Sequence, residues 1–212
     1  MNDSRALRAR IVATALAMNA QGINRGKSGN VSARIDEGFL ITPSALPYEE
    51  TKARDIVAID RAGNVTGGCK PSSEWRFHRD IYAARPEVAA IVHAHSPFAT
   101  TLACLERSIP PFHYMVAVAG GGDIRCAPYA TFGTQALSDR AVAALGGRRA
   151  CLLAHHGMIA VGSSLGSALA LAVEVETLAE MYWRAIAVGE PTLLSDDEMA
   201  GVVARFETYG KP

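Results

Sequence analysis

The chain has 212 residues, 49% hydrophobic and 20% charged, and its 21 basic side chains are balanced by 21 acidic ones. That is the composition of an ordinary globular protein, long enough for one large domain with a substantial core. It excludes the basic footprint of a nucleic-acid binder and the polybasic segment of a membrane-surface protein.

Four cysteines (Cys69, Cys104, Cys126, Cys151) are widely spaced and form no C-x-x-C pair, so neither a zinc finger nor a dithiol redox motif is present. Met1-Asn2-Asp3-Ser4 leads into arginines rather than the apolar segment of a signal peptide, and no apolar stretch is long enough to span a bilayer. The expectation is a cytoplasmic protein with no membrane or nucleic-acid partner.

Ser4 is a plausible N-cap for an amphipathic helix over residues 4–21, with Leu7, Ile11, Ala15 and Met18 at helical spacing and Gly22 as its stop. Asn24-Arg25-Gly26-Lys27-Ser28-Gly29-Asn30 is too rich in glycine and small polar residues for regular structure. It reads either as a surface turn or as a loop whose N–H groups and side chains bind an anion. Its spacing is not that of a P-loop.

Val31–Ile35 alternates like a strand, and Gly38–Thr42 is its hairpin partner across Asp36-Glu37. A second small-polar loop follows from Thr42 to Tyr48, then a short strand at Ile56–Ile59 and a turn at Ala62-Gly63-Asn64. Ser72, Ser73 and Glu74 precede a helix from Trp75 to about Ala84, and capping and dipole roles are the expectation for all three.

Val88 to Val92 reads as a buried strand delivering His93-Ala94-His95. Side chains at i and i+2 leave one face of a strand, so the two imidazoles point together. They are either a core and a surface histidine or the start of a metal site that needs a third ligand. Phe98–Leu105 is helical, His113–Val116 is a further strand, Gly120–Asp123 is a glycine-rich turn, and Thr131–Leu145 is a helix stopped by Gly146-Gly147. Cys151–Ala154 is a buried strand leading to His155-His156-Gly157. Neighbours on a strand face opposite ways, so only one of this pair can join His93 and His95.

Leu165–Val188 is the longest helix; its Glu174, Glu176 and Glu180 are expected to be solvated or paired with arginines. A last helix runs from about Asp196 to Phe206, with a tail from about residue 207. One domain over residues 1–212 follows, of α/β class, with a central, largely antiparallel sheet and helices packed on both faces.

The chemistry converges on three histidines with room for a fourth ligand. That is a catalytic rather than a structural zinc pattern, since structural sites favour cysteine. Glu74 beside such a site could act as a general base. Small polar loops without a nucleotide fingerprint suggest a small phosphorylated substrate.

The residues that carry chemistry fall into blocks running in order through nearly the whole chain. They are Ser28-Gly29-Asn30-Val31-Ser32, Leu40 to Ser44, Pro71 to His78, His93-Ala94-His95, Ile109-Pro110 with His113-Tyr114-Met115, Cys126 to Thr134, His155-His156-Gly157, and Leu194-Ser195-Asp196 through Thr208-Tyr209-Gly210. On these blocks the chain resembles the class II aldolase/adducin superfamily, and within it the L-fuculose-phosphate aldolase branch.

The resemblance implies a zinc enzyme, or one using another divalent metal, that reversibly cleaves a ketose 1-phosphate to dihydroxyacetone phosphate and an aldehyde. His93, His95 and His156 would hold the metal, His156 because the family ligand directly precedes the glycine. His155 is then left as a packing residue on the opposite face. Glu74 would be a fourth ligand at rest and would move the proton at C3 during turnover. Phosphate would lie among Gly29, Asn30, Ser44, Ala45, Ser72 and Ser73. Tyr114, from a neighbouring subunit, would stand near the aldehyde oxygen, and Phe132 and Tyr209 would close over the aldehyde end. A cyclic homotetramer with active sites at its subunit interfaces is also implied.

The residues agree with this chemistry. Without a Schiff-base lysine, a Lewis-acidic metal must stabilise the enediolate left when C3–C4 breaks, and an apolar wall near Trp75 and Phe77 would raise the Glu74 pKa. Two departures fall on the phosphate side: Lys27 stands at a small-residue position, where it could hold phosphate or reach solvent, and Ala45 replaces a glycine, a strained choice if φ is positive there. Alternatives within the superfamily are a pentulose-phosphate 4-epimerase or a sugar-acid decarboxylase. Outside catalysis, the alternative is an adducin-like interaction module.

Overall fold

Ser4 opens the first helix, α1 (Arg5–Ala20), its hydroxyl accepting from the Leu7 N–H at 3.1 Å. Leu7, Ile11, Ala15 and Met18 are buried, the stripe expected from their spacing. The structure is a computed structural model describing residues 3–208.

The glycine-rich loop then feeds β1 (Asn30–Ile35), which pairs antiparallel with β2 (Gly38–Ile41) across the expected two-residue turn. β3 (Val57–Asp60) continues the meander, and β4 (Val65–Thr66) extends it by two residues. After α2 (Trp75–Ala84) come β5 (Ala90–Ala94) and α3 (Pro97–Cys104). The rest of the chain supplies β6 (Cys126–Ala127), α4 (Gln135–Ala144), β7 (Ala150–Leu153), β8 (Gly157–Gly162), α5 (Leu165–Val188) and α6 (Asp196–Thr208).

The strands form one sheet in the order β4-β3-β2-β1-β5-β8-β7-β6, antiparallel throughout except for β6 against β7. Side chains alternate between two cores. Val31, Ala33, Ala90, Val92, Met158 and Ala160 pack under α1, α3 and α5, whereas Phe39, Ile91, Ile159 and Val161 pack under α2 and α4. This is the expected α/β layering.

Several local expectations are corrected. His113–Val116 is not a strand: Tyr114–Ala119 is a 3-10 helix, opened by His113 Nδ1 accepting from the Met115 N–H and closed by Gly120 at φ 90°. The α4 helix starts at Gln135 rather than Thr131, because Gly133 sits at φ 73° and Thr134 caps the first turn by accepting from Leu137. Strands β4, β6 and β8 were not read from sequence, although Gly157–Gly162 carries the unbroken apolar run of a central strand.

The serines before α2 do not cap it. Its N-cap is Glu74, with no side-chain cap bond, and Ser72 Oγ accepts only a long 3.4 Å contact from the Glu74 N–H. Nor is Glu176 solvated or paired with arginine. Its carboxylate accepts from the Phe98 and Ala99 N–H groups at 2.8 and 2.9 Å and so caps α3, whose own N-cap Ser96 makes no side-chain cap bond. Glu180 does pair with Arg184 one turn on. Among the described residues, no helix is long and apolar enough to cross a membrane.

Candidate active site

β5 presents His93 on the α2 face of the sheet and ends at Ala94. His95 follows just beyond, close enough that the two Nε2 atoms are 3.0 Å apart. Glu74 enters from the start of α2, and His156 from the turn between β7 and β8. Ligand atoms of Glu74, His93, His95 and His156 all lie within 4.8 Å of one another, and the three imidazoles meet edge to face with centroids 4.8–4.9 Å apart.

The selection of His156 agrees with the cluster, but its neighbour is not a packing residue on a strand's far face. His155 lies in the turn at φ 55°, is exposed, and places Nε2 3.1 Å from the Glu106 carboxylate and its ring against Tyr129. Strand alternation does not apply there because both histidines lie beyond the end of β7.

The donor set fits a cation. His93 Nδ1 is 2.8 Å from the Met158 carbonyl oxygen, which can only accept, so Nδ1 carries the ring proton and Nε2 presents a lone pair. That lone pair faces Glu74 Oε2 at 3.1 Å. Glu74 Oε1 lies 3.0 Å from His156 Nε2 yet has no hydrogen bond of acceptable geometry, although it is buried. Acceptors crowded against acceptors away from water are unfavourable unless a positive ion sits among them. One carboxylate and three imidazoles, with a carbonyl orienting one ring from behind, form a group that could hold a metal ion.

Burial pushes the Glu74 carboxyl upward, but wherever positive charge sits against its oxygens, on protonated His93 and His156 rings or on a cation held among their lone pairs, the carboxyl is held well below the usual carboxylate range. This reverses the expectation of a raised pKa: Phe77 does border the site, yet three polar rings surround the carboxylate more closely than any apolar wall. Burial, then the neighbouring His93 and His156, bring His95 down to about 3, which keeps it neutral and able to donate its lone pair.

Beside the cluster lies a cavity of about 340 Å³, lined by Ser28, Ser73, Glu74, His95, Tyr129, Ala130, Phe132, His155 and His156. Of the residues expected to hold an anion only Ser73 lines this cavity, joined by Ser28 of the glycine-rich loop. Backbone pairing joins Ser44 to Lys70 and Ser72 to Thr42, so the Ser44-Ala45 and Ser72-Ser73 segments run side by side. Gly29 is packed so closely that a Cβ would lie 2.5 Å from the His93 carbonyl oxygen. Ala45 has φ 63°, the strained conformation foreseen for an alanine in place of glycine, and the Lys27 ammonium donates to its carbonyl at 2.8 Å rather than extending free into solvent.

Phe132 is 65% exposed at the cavity mouth. Tyr114 is half exposed and is absent from the lining of its own chain's cavity; Tyr209 lies outside the described residues. Tyr129 and His155 line the cavity too, although within their blocks, Cys126–Thr134 and His155-His156-Gly157, neither is expected among the site residues. A larger, open groove of about 690 Å³ beside Asp123, Arg148 and Asp196 shares no residue with this site, and its Arg148 is already paired with Asp123 at 2.6 Å.

The fold and this cluster define a class. The family described as class II aldolase and adducin N-terminal domain matches residues 9–183, and the chain belongs to it. It is a class II aldolase, a metal-dependent lyase.

Among its relatives is a 5-methylthioribulose-1-phosphate/5-deoxyribulose-1-phosphate aldolase of Rhodospirillum rubrum, 57% identical over 97% of this chain and 93% of that one. An L-fuculose phosphate aldolase of Escherichia coli is 50% identical over 94% of each. A solved L-fuculose 1-phosphate aldolase superposes with a TM-score of 0.94 at 40% identity, covering 97% of this chain and 98% of the other.

Proposed function

We propose that this protein is a zinc enzyme that reversibly cleaves a ketose 1-phosphate into dihydroxyacetone phosphate and an aldehyde. The substrate is L-fuculose 1-phosphate or a 5-deoxy- or 5-methylthio-pentulose 1-phosphate. The observation that carries the proposal is the double position of Glu74. It is buried in the imidazole cluster and also forms part of the cavity wall, where a carboxylate can exchange a proton with a bound substrate.

The phosphate lies among Gly29, Ser44, Ala45, Ser72 and Ser73, with the Asn30 side chain engaged behind them by Glu74 and His78, and Lys27 braces that loop through the Ala45 carbonyl. His93, His95 and His156 hold the metal with Glu74, and bound zinc supplies Lewis-acid stabilisation for the charge that develops as C3–C4 breaks. Glu74 takes and returns the proton at C3. Tyr114, contributed by a neighbouring copy in a cyclic homotetramer, takes the C4 hydroxyl proton as that oxygen becomes the aldehyde's and returns it in the condensation direction; its exposure and its absence from its own cavity support a role across an interface. Phe132 and Tyr209 exclude water from the aldehyde end. The aromatic rim of Tyr129 and Phe132 favours an aldehyde with an apolar end, such as a deoxy or methylthio group. A cytoplasmic setting completes the reading.

The test is a panel of ketose 1-phosphates, with dihydroxyacetone phosphate detected through a coupled reductase. Release from at least one of them is expected, and both a chelator and Glu74→Gln should abolish it. Full turnover by the glutamine variant would remove Glu74 from its role. An epimer instead of split fragments in the product NMR spectrum would replace the aldolase reading with the epimerase.

A further inference from the structure

Behind the metal cluster, five side chains form an unbroken buried hydrogen-bonded chain. Asn30 Nδ2 is 3.0 Å from Glu74 Oε2, and Asn30 Oδ1 is 2.5 Å from His78 Nε2. His78 Nδ1 is 2.7 Å from Ser32 Oγ, which in turn is 2.8 Å from the Tyr82 hydroxyl. Asn30, Ser32, Glu74, His78 and Tyr82 are all buried.

Only one arrangement of protons satisfies this chain. The Glu74 carboxylate can only accept, so the Asn30 atom facing it is the amide nitrogen. The Asn30 oxygen therefore faces His78, whose Nε2 must donate. A fully buried imidazole is neutral at working pH, because burial brings His78 down to about 3. With the proton on Nε2, Nδ1 accepts from Ser32, and the Ser32 oxygen accepts from Tyr82. Every donor points toward the carboxylate.

The ring is also fixed in plane. Phe77 stacks on it with centroids 4.6 Å apart and planes 24° apart, and Phe39 stacks with it at 6.4 Å and 13°. Asn30 stands directly across the β1–β5 pairing from His93, so the relay reaches the cluster through adjacent strands.

We infer that His78 is a positioning residue for Glu74: held as the neutral Nε2–H tautomer, it locks the Asn30 amide with its N–H group on the carboxylate. Glu74 is then kept ionised and aimed, rather than free to rotate or to take a proton from a misdirected neighbour. Without that lock the Asn30 amide could turn over and set its oxygen against the carboxylate. The inference deepens the aldolase reading and rests on it for the kinetic consequence, though not for the tautomer.

The test has two arms. In enzyme carrying ¹⁵N-labelled histidine, His78 should give the spectrum of a neutral Nε2–H ring that does not titrate between about pH 5 and 8. An Nδ1–H tautomer or an imidazolium would overturn the inference whatever the enzyme does. In the kinetic arm, His78→Phe keeps the stacking area but neither polar contact. It should lower kcat about 10- to 100-fold while KM for the ketose phosphate and the bound metal stay close to wild type.

His78→Gln places an amide oxygen and nitrogen at nearly the spacing of the two ring nitrogens and should restore most of kcat. Equal damage in both variants, or an undiminished kcat in the phenylalanine variant, would overturn the positioning role. Should the phenylalanine variant fail to fold, the glutamine variant and the spectrum still decide. A wild-type enzyme silent on every ketose 1-phosphate would sink the aldolase reading and leave the relay to be judged by the spectrum.

Discussion

His78 makes acid stability a sensitive probe of the buried relay, and the comparison of wild type with His78→Gln isolates it. The imidazole titrates near 6.5 in an unfolded chain and near 3 in the fold, where burial disfavours its charge. Between those values the unfolded state binds a proton that the folded state refuses. Stability is therefore complete above the unfolded pKa and declines as pH falls toward the folded one. For one such group the decline approaches about 1.4 kcal/mol per pH unit, and at pH 5 it amounts to roughly 2 kcal/mol. Glutamine does not titrate and keeps both hydrogen-bonding functions.

Urea unfolding of both proteins at about pH 7.5 and pH 5 should thus show the glutamine variant gaining roughly 2 kcal/mol on wild type at the lower pH. His95, which is depressed as well, and the hydrogen-bonded Asp80 are common to both proteins and cancel in the difference. A stability gap that does not change with pH would refute the buried neutral imidazole.

Ala45, at φ 63°, should respond to shape. Ala45→Gly is expected to be neutral or stabilising by up to about 1 kcal/mol, whereas Ala45→Val should cost about 1–2 kcal/mol, and thermal melts showing the opposite order would contradict the strained loop. Glu176→Ala strips the acceptor from two N–H groups at the start of α3 and should destabilise by about 1–2 kcal/mol in denaturant titration, with Glu176→Gln recovering part of it. Phe132→Ala opens the cavity mouth and should raise KM for the aldehyde in the condensation direction about 10-fold, with little effect on KM for dihydroxyacetone phosphate.

What could be read from sequence was whatever short-range physics determines. The stripe of Leu7, Ile11, Ala15 and Met18 needs only helical periodicity and a serine cap, and α5 runs over the expected Leu165–Val188 for the same reason. The β1–β2 hairpin follows from alternation on either side of Asp36-Glu37. His93 and His95 advertise themselves by spacing on an apolar strand, whereas His156 is told from His155 only by the family resemblance, in which the ligand directly precedes a glycine.

The missed features depend on partners far along the chain. Glu176 caps a helix 77–78 residues away, and nothing near it in sequence signals that. Asn30 looks like a loop residue free for an anion until the fold turns its amide toward Glu74 and His78, 44 and 48 residues on. The direction of the Glu74 pKa is hidden for a similar reason: Trp75 and Phe77 are its neighbours in sequence, while the His93 and His156 rings that face its oxygens come from β5 and the β7–β8 turn. His155 escapes strand alternation because β7 ends at Leu153 and the residue sits in the following turn at φ 55°.

The pairing of Asn30 with His93 across β1 and β5 ties chemical competence to the register of the sheet. A slip of one residue between these strands would bring Val31, which belongs to the α1–α5 core, opposite His93, and would turn Asn30 away from Glu74. The same slip would also drive the inward-facing valine and alanine of β1 out of their layer. A misthreaded sheet is therefore unstable and inert together, so turnover in this enzyme doubles as an assay of faithful folding.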